Sequence, residues 1–215
     1  MRAIAVFDLD GTITRHDTLV PYLLYALRRH PVRLWRLWVV PAALLRFAIT
    51  RDRGVLKSEL IRAVLGGWTR AQINRLGVAY LDQHLPPLIR AGALRAIERH
   101  RQAGDYLVLL SASVDLYVPM IGARLGFNET TCTEIAWHHE RLSGQLTSAN
   151  RHGAEKTEVI RALRTRYPLA TIAAYGNAHS DLHHLGIVEH PTVVNASLGT
   201  RKAAQALGFP LDRWP

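Results

Sequence analysis

The sequence predicts an α/β fold, a doubly wound parallel sheet with an all-helical segment inserted near its start. Three observations predict it. Apolar runs of strand length alternate with helical stretches, at Ala3–Phe7 and again from Ala91 to Leu207. Between Asp17 and Leu85 only helical periodicity occurs, with no strand signal. Polar groups stand directly after the apolar runs, at Asp8, Asp10, Ser111 and Asn177, where open α/β sheets bind ligands. The expected division is a core of residues 1–14 and 89–215 and a helical insertion over residues 15–88.

Ala3–Phe7 is apolar and too short for a stable helix, so it reads as a buried strand. It breaks into Asp8, Leu9, Asp10 and Gly11. Two carboxylates two residues apart at a buried strand's end are costly unless they are paired or hold a cation. Gly11 permits a sharp turn and a close approach to a ligand. Asp-x-Asp-Gly also opens calcium loops, but residues 12–19 add only Asp17. Asp17–Arg29 reads as a helix, capped by Asp17 or Thr18 and ended by His30-Pro31. Pro31–Thr50 is helical with a kink at Pro41, and apolar nearly all round apart from Arg33, Arg36 and Arg46. Three placements fit it. It lies in a membrane interface, with Trp35 and Trp38 beside arginines; it is buried in its own domain with its arginines reaching solvent; or it spans a bilayer, for which it is short and charged.

Gly54–Leu65 and Thr69–Leu85 are two more helices, the second capped by Thr69 and closed by Pro86-Pro87. Ala91–Gln102 is a helix ending near Gly104. Tyr106–Leu110 is a buried strand, and Val114–Leu125 the helix after it. Thr130–Ile135 reads as a strand, and His138–Leu146 as a polar hairpin turning at Ser143-Gly144. Ala154–Arg166 is a helix, Thr171–Tyr175 a buried strand, Thr192–Asn195 a last short strand and Thr200–Leu207 a last helix.

With 215 residues and 48% hydrophobic content, the chain can bury a sizeable core and is not a disordered protein. Cys132 is the sole cysteine, so no intrachain disulfide is available, which suits a reducing, cytoplasmic setting. The opening MRAIAVFDLD does not read as a signal peptide, because its apolar stretch is short and acids follow at once. Net charge is +10, and residues 15–90 hold +9 of it, with 13 Lys/Arg against four acids. Such a patch faces an anionic membrane, nucleic acid or a phosphorylated substrate, or is a solvated helical surface. Nucleic acid has the least behind it, with no recognised motif and no regular basic-aromatic interleaving.

The strand ends of a doubly wound sheet converge on one crevice. Asp8 and the group after Gly176 supply oxygens of the kind Mg2+ takes, with waters and substrate phosphate completing its shell. A hydroxyl at Ser111 and an ammonium at Lys156 are the usual partners of phosphoryl oxygens. A carboxylate nucleophile, a second carboxyl to move protons, a hard cation and two donors make a toolkit for phosphoryl transfer through an aspartyl-phosphate. His179, His183, His184 and His190 are dense enough to suggest a metal cluster, but no cysteine supports zinc there, and surface histidines are the default. Arg15 and His16 either touch substrate or lie on the surface. Cys132 reads as a small packed hydrophobe.

Asp8-Leu9-Asp10-Gly11-Thr12, Ser111 after a strand, Lys156, and Gly176-Asn177 to Asp181 resemble, in order and spacing, the four motifs of the haloacid dehalogenase-like phosphohydrolases. A helical insertion right after the first motif resembles the phosphoserine phosphatase-like branch, and Asn150–Lys156, NRHGAEK, is similar to its lysine motif. The resemblance implies roles. Asp8 attacks phosphorus in line. Asp10 protonates the leaving oxygen, then activates water, and its main-chain carbonyl binds Mg2+. Thr12, Ser111, Ala112 and Lys156 hold the phosphate. Asn177 and Asp181 complete the metal site with Asp8 and Asp10. Asn177 departs from the family, in which many members place an aspartate, and an amide oxygen ligates without charge.

The resemblance also makes the insertion a cap that selects substrate. A basic, tryptophan-bearing cap is similar to those of phosphatidylglycerophosphate phosphatase-type members, which implies a lipid or amphiphilic phosphate and peripheral contact with the inner face of an anionic membrane. A small soluble metabolite such as phosphoserine is the alternative. A rival of another class is a non-catalytic protein that holds an anionic membrane or nucleic acid, or an inactive relative.

Overall fold

The computed structural model describes residues 3–148, 150–151 and 153–215. The opening MRAIAVFDLD and the lysine-motif stretch therefore each extend to residues outside the described ones, Met1, Arg2 and His152.

Six parallel strands form one sheet in the order β3-β2-β1-β6-β7-β8. They are β1 (Ala3–Phe7), β2 (Tyr106–Val114), β3 (Glu129–Thr133), β6 (Thr171–Gly176), β7 (His190–Val194) and β8 (Leu211–Asp212), while β4 (Ile135–His138) and β5 (Arg141–Leu146) make a separate antiparallel hairpin. β1 is central, pairing Ile4 with Tyr106 on one side and with Ile172 on the other. Alternate side chains of β1 enter two cores. Ile4 and Val6 pack with Val108, Leu110, Ile172 and Ala174 under helices α7 (Ala154–Arg166), α8 (Leu182–Leu185) and α9 (Leu198–Ala206). Ala5 and Phe7 pack with Leu107, Leu109 and Tyr175 against α5 (Ala91–Gln102) and α6 (Val118–Leu125). Burial on both faces explains why the strand reads as an unbroken apolar run rather than an alternating one. Phe7 is fully buried and stacks on Tyr175 at 4.6 Å, a side chain whose burial is worth about 1.5–3 kcal/mol. The chain winds away from β1 in both directions, so the crevice of such a sheet lies above β1 and its neighbours.

Four helices, α1 (Leu19–Arg29), α2 (Val40–Thr50), α3 (Arg53–Leu65) and α4 (Arg70–Leu88), stand between β1 and α5. The chain leaves and returns side by side. Arg15 N–H donates to Leu88 O and Arg90 N–H to Ile13 O, each at 2.9 Å. Local signals behave as their chemistry requires. Asp17 accepts from the Leu19 amide, Asp52 from the Gly54 and Val55 amides, and Thr69 with Gln72 forms a capping box. Tyr22, Tyr80 and Tyr117 form an aromatic cluster that ties α1 and α4 to α6, with Tyr22 and Tyr117 centred 4.6 Å apart.

Several expectations are corrected. Pro31–Val39 is a 3-10 helix and α2 begins at Val40, so Pro41 sits in a first turn, where its missing N–H costs nothing. No residue of Pro31–Val39 is buried, and in α2 only Ala43 is, which overturns burial within its own domain. Arg46 is exposed as expected, but Arg33 and Arg36 are half-buried and donate to the carbonyls of Val64 and Gly66 at the end of α3. Among the described residues no helix is long and apolar enough to cross a membrane. α4 runs through Pro86 and Pro87 to Leu88 instead of stopping before them. β2 extends past Leu110 to Val114 because Val114 pairs with Thr133 beyond a bulge. The hairpin turns at His139 and Glu140, both at positive φ, and not at Ser143-Gly144. Gly144 serves close packing, since a Cβ there would lie 2.6 Å from Arg62 Cα on α3. β7 begins two residues earlier than expected, α9 also begins two earlier, and β8 carries no strand signal in the sequence.

Candidate active site

Asp8 follows β1 directly and its amide donates to Tyr175 O on β6, which fixes the carboxylate at the carboxyl edge of the sheet. Residues Leu9–Ile13 then make a kinked turn with Gly11 at φ 84°. A Cβ on Gly11 would stand 2.1 Å from Asn177 Nδ2, so glycine there both makes the turn and admits the asparagine. The four motif segments meet here. Lys156 Nζ donates to Asp8 Oδ1 at 2.6 Å and to Asp181 Oδ1 at 2.8 Å. Thr12 Oγ1 donates to Asp8 Oδ2 at 2.8 Å. Asp181 Oδ2 accepts from the Asn177 and Ala178 amides. Asp8, Lys156 and Asp181 are all buried, at 6%, 3% and 2% exposure.

Burial above all, with the charge of Asp181 beside it, pushes the Asp8 carboxyl up to about 7 against the pull of Lys156. Burial opposes the Lys156 ammonium, but its two carboxylate partners hold it above its ordinary value. Asp181 is buried too, yet Lys156 and the amides hold it below the usual carboxylate range. The trio thus carries two carboxyls for one ammonium, and Asp8 is the one left short of positive charge.

Asp10 is held apart from this trio. Its Oδ1 accepts from the Thr18 amide and hydroxyl, at 2.8 and 2.7 Å, and its Oδ2 from Ser113 Oγ at 2.6 Å. Burial, then the charge of Asp17, raises its pKa. A carboxyl that keeps its proton to higher pH suits a proton donor.

These groups open on a cleft of about 240 Å3 lined by Asp8, Asp10, Ala112, Lys156, Asn177 and Asp181 among others. Thr12 and Ser111 do not line it. Both are fully buried just beneath, Thr12 on Asp8 and Ser111 with its Oγ accepting the Ser113 amide at 3.0 Å. Arg15 and His16 are exposed outside the cleft. His179, His183 and His190 are exposed as well, while His184 is buried and neutral, pushed down to about 4 by burial and by Lys156. Among the described residues no group of three or more His, Cys, Asp and Glu could hold a metal by itself. Cys132 is buried, and burial pushes its thiol up to about 12, as befits a packed hydrophobe.

The donor set suits a hard cation nonetheless. Mg2+ needs only one or two carboxylates, and the cleft offers Asp8, the Asp10 main chain and the Asn177 amide oxygen, which lies 3.4 Å from Thr12 Oγ1. Asp8 is the carboxylate short of charge, so a cation there has something to neutralise. Asp181 fits less well as a direct ligand, because Lys156 and two amide donors already stabilise its charge and hold it low, whereas Asp8 is left raised.

A family model described as haloacid dehalogenase-like hydrolase matches residues 5–185. The chain belongs to that family. A probable phosphatase of Mycobacterium tuberculosis, Rv3661, is 29% identical over 98% of this chain and 75% of its own length. Among solved structures, a Bordetella pertussis protein of unknown function superposes with a TM-score of 0.83 at 20% identity, over 99% of this chain and 98% of its own. A phosphoserine phosphatase structure, a phospho-aspartyl intermediate analogue, superposes at 0.65 and 12% identity, over 99% and 93%. At those identities the two structures speak for the shared fold.

Within this haloacid dehalogenase-like hydrolase, sequence reasoning missed the groups that the insertion lends to the cleft. Arg53 and Lys57 of α3 line it, and Lys57 Nζ donates to Ala112 O and, at 2.7 Å, to Asn150 Oδ1. Burial pushes Lys57 down to about 8. Their i, i+4 spacing was the available signal, one basic face on an otherwise weakly amphipathic helix.

Proposed function

We propose that the protein is a Mg2+-dependent phosphatase that hydrolyses a phosphate monoester through an aspartyl-phosphate on Asp8. One observation carries the reading. A buried carboxylate, oriented by Lys156 and Thr12, faces a cleft whose other wall bears a carboxyl with raised pKa. In this reading Asp8 Oδ attacks phosphorus, and Thr12 and Lys156 fix its rotamer beforehand. Asp10 gives its proton to the leaving oxygen and then takes one from the water that cleaves the acyl phosphate. Lys156 shares the charge that builds on the phosphoryl oxygens. The Ala112 backbone lines the cleft, where it would receive a phosphoryl oxygen, and Ser111, buried beneath with its Oγ on the Ser113 amide, would hold that end of the strand in place. Mg2+, when bound by Asp8, the Asp10 carbonyl and Asn177, supplies charge neutralisation between nucleophile and phosphate. Asp181 positions Lys156 and the 177–178 backbone.

The insertion, residues 15–88, acts as the cap on a core of residues 1–14 and 89–215. Arg53 and Lys57 bring two positive charges to the side where the leaving group sits. For the substrate we infer a lipid or amphiphilic phosphate. Support comes from the outer face of residues 31–50, where Val32, Trp35, Trp38, Leu45 and Ile49 are each more than 60% exposed beside basic residues. Interfacial segments have that combination, so this face would rest on an anionic membrane.

Turnover of an aryl phosphate tests the reaction. Activity that requires Mg2+ and vanishes in Asp8→Asn supports it, and full activity in that variant sinks it. A substrate screen spanning lipid phosphates and phosphorylated metabolites tests the second inference. Preference for phosphoserine, or failure to sediment with anionic vesicles at low salt, overturns the amphiphilic assignment.

A further inference from the structure

A second cavity opens at the other end of the sheet's carboxyl edge, beside β7 and β8. Its volume is about 720 Å3, against about 240 Å3 for the Asp8 cleft, and Arg15, Arg90, Arg201 and Arg213 line it. The one side-chain carboxylate in the lining, Asp212, is already engaged, with Oδ1 accepting the Arg213 amide at 2.7 Å and Oδ2 the Trp214 indole N–H at 2.8 Å, and the main-chain oxygen of Pro215, also in the lining, accepts the Ala91 amide at 3.1 Å. Among the described residues none of the four guanidiniums has a carboxylate partner. Arg90 spends one N–H on Trp214 O at 3.1 Å, and its Nε is buried with no partner. Burial and the neighbouring charge of Arg15 both lower the Arg90 pKa, so the two guanidiniums stand close enough to repel.

Like charges gathered around one cavity repel, most at the half-buried Arg90, and an anion among them relieves that repulsion. Guanidinium forks match phosphoryl oxygens two at a time. An orthophosphate gathers its oxygens around one centre, whereas linked phosphoryl groups spread theirs along the molecule and so suit arginines on different walls of a cavity of about 720 Å3. The walls include both stems of the insertion, where Arg15 N–H meets Leu88 O and Arg90 N–H meets Ile13 O. An occupant would therefore brace the joint between insertion and core. We propose that this cavity is a second anion site, separate from the Asp8 cleft, which binds a small molecule with linked phosphoryl groups through Arg15, Arg90, Arg201 and Arg213.

The test is calorimetric titration of pyrophosphate into the full chain, without divalent cations, at about 0.15 M salt. Arg201 and Arg213 are exposed, so their double replacement by alanine should leave the melting temperature unchanged. Saturable binding is expected, weakened about tenfold or more in Arg201→Ala/Arg213→Ala and unchanged in Lys57→Met, which alters only the cleft. Orthophosphate is expected to bind at least about tenfold more weakly than pyrophosphate. Hydrogen exchange should slow at residues 13–15 and 88–90 when pyrophosphate binds. Absence of saturable binding, undiminished affinity in the double variant, or a loss confined to Lys57→Met would overturn the proposal.

Discussion

Lys156→Met keeps the length of the side chain and removes the ammonium that two buried carboxylates share. Asp8 and Asp181 lie 2.6 and 2.8 Å from Nζ, at 6% and 2% exposure. Breaking a buried pair by deleting one partner costs about 3–5 kcal/mol, because a charge is left without compensation. For a domain of this size that is a fall of roughly 6–20 °C in melting temperature, at about 2–4 °C per kcal/mol. The pH dependence identifies the cause. Asp8 is raised from 3.8 to about 7 even with the lysine present, and without it the carboxyl rises further. The folded state then holds a proton that the unfolded chain releases, so stability falls as pH rises from about 4 through the folded pKa. Asp181, held low chiefly by Lys156 in the unaltered protein, loses that hold in the variant and so adds to the deficit in the same direction as Asp8. The variant's deficit should therefore be largest near pH 8 and shrink toward pH 5. Urea unfolding followed by circular dichroism at both pH values measures it. A deficit under about 1 kcal/mol, or one equal at both pH values, would refute the claim that Lys156 chiefly neutralises buried carboxylates.

Gly11→Ala places a methyl 2.1 Å from Asn177 Nδ2 at φ 84°, so Asn177 must move; the Mg2+ concentration for half-maximal turnover should rise about tenfold or more, read from activity against Mg2+ concentration. Because the metal-free Asp8 titrates near 7, Mg2+ binding should release about one proton at pH 6 and far less at pH 8, as calorimetry in two buffers would report. Gly144→Val would drive a side chain into the Arg62 backbone. It should separate the hairpin from α3 and destabilise the protein by about 1–3 kcal/mol or more in urea unfolding.

How much of this was legible in the sequence varies with physical cause. The core strands were readable because β1, the start of β2 and β6 are buried on both faces and must be apolar throughout. That the polar groups after β1 and β6 would gather was readable because strand ends in such a sheet converge, and Asp8 and Asp181 meet there, joined by Lys156 from the start of α7. Gly144 misled because a glycine at a turn and a glycine under a crossing backbone look alike in sequence, and only the approach of Arg62 distinguishes them. β2 ran longer than its apolar stretch because its last residues owe their conformation to pairing with Thr133, a partner distant in sequence. Arg33 and Arg36 looked like solvent-facing charges, yet they finish α3 by binding its terminal carbonyls. Lys57 and Asn150 are far apart in the chain, and although Asn150 opens the lysine motif Lys57 belongs to none; their contact in the cleft depends on how α3 packs on the hairpin strand β5.

The central claim is that the Asp8 carboxylate becomes the phosphoryl carrier, and it can be measured directly. Substrate labelled with radioactive phosphate is mixed with enzyme and Mg2+, quenched in acid within a turnover, and the label is mapped by proteolysis. The account predicts acid-stable, hydroxylamine-labile label on the peptide bearing Asp8 and none in Asp8→Asn. Turnover with no protein-bound label, or label on any other residue, would contradict it.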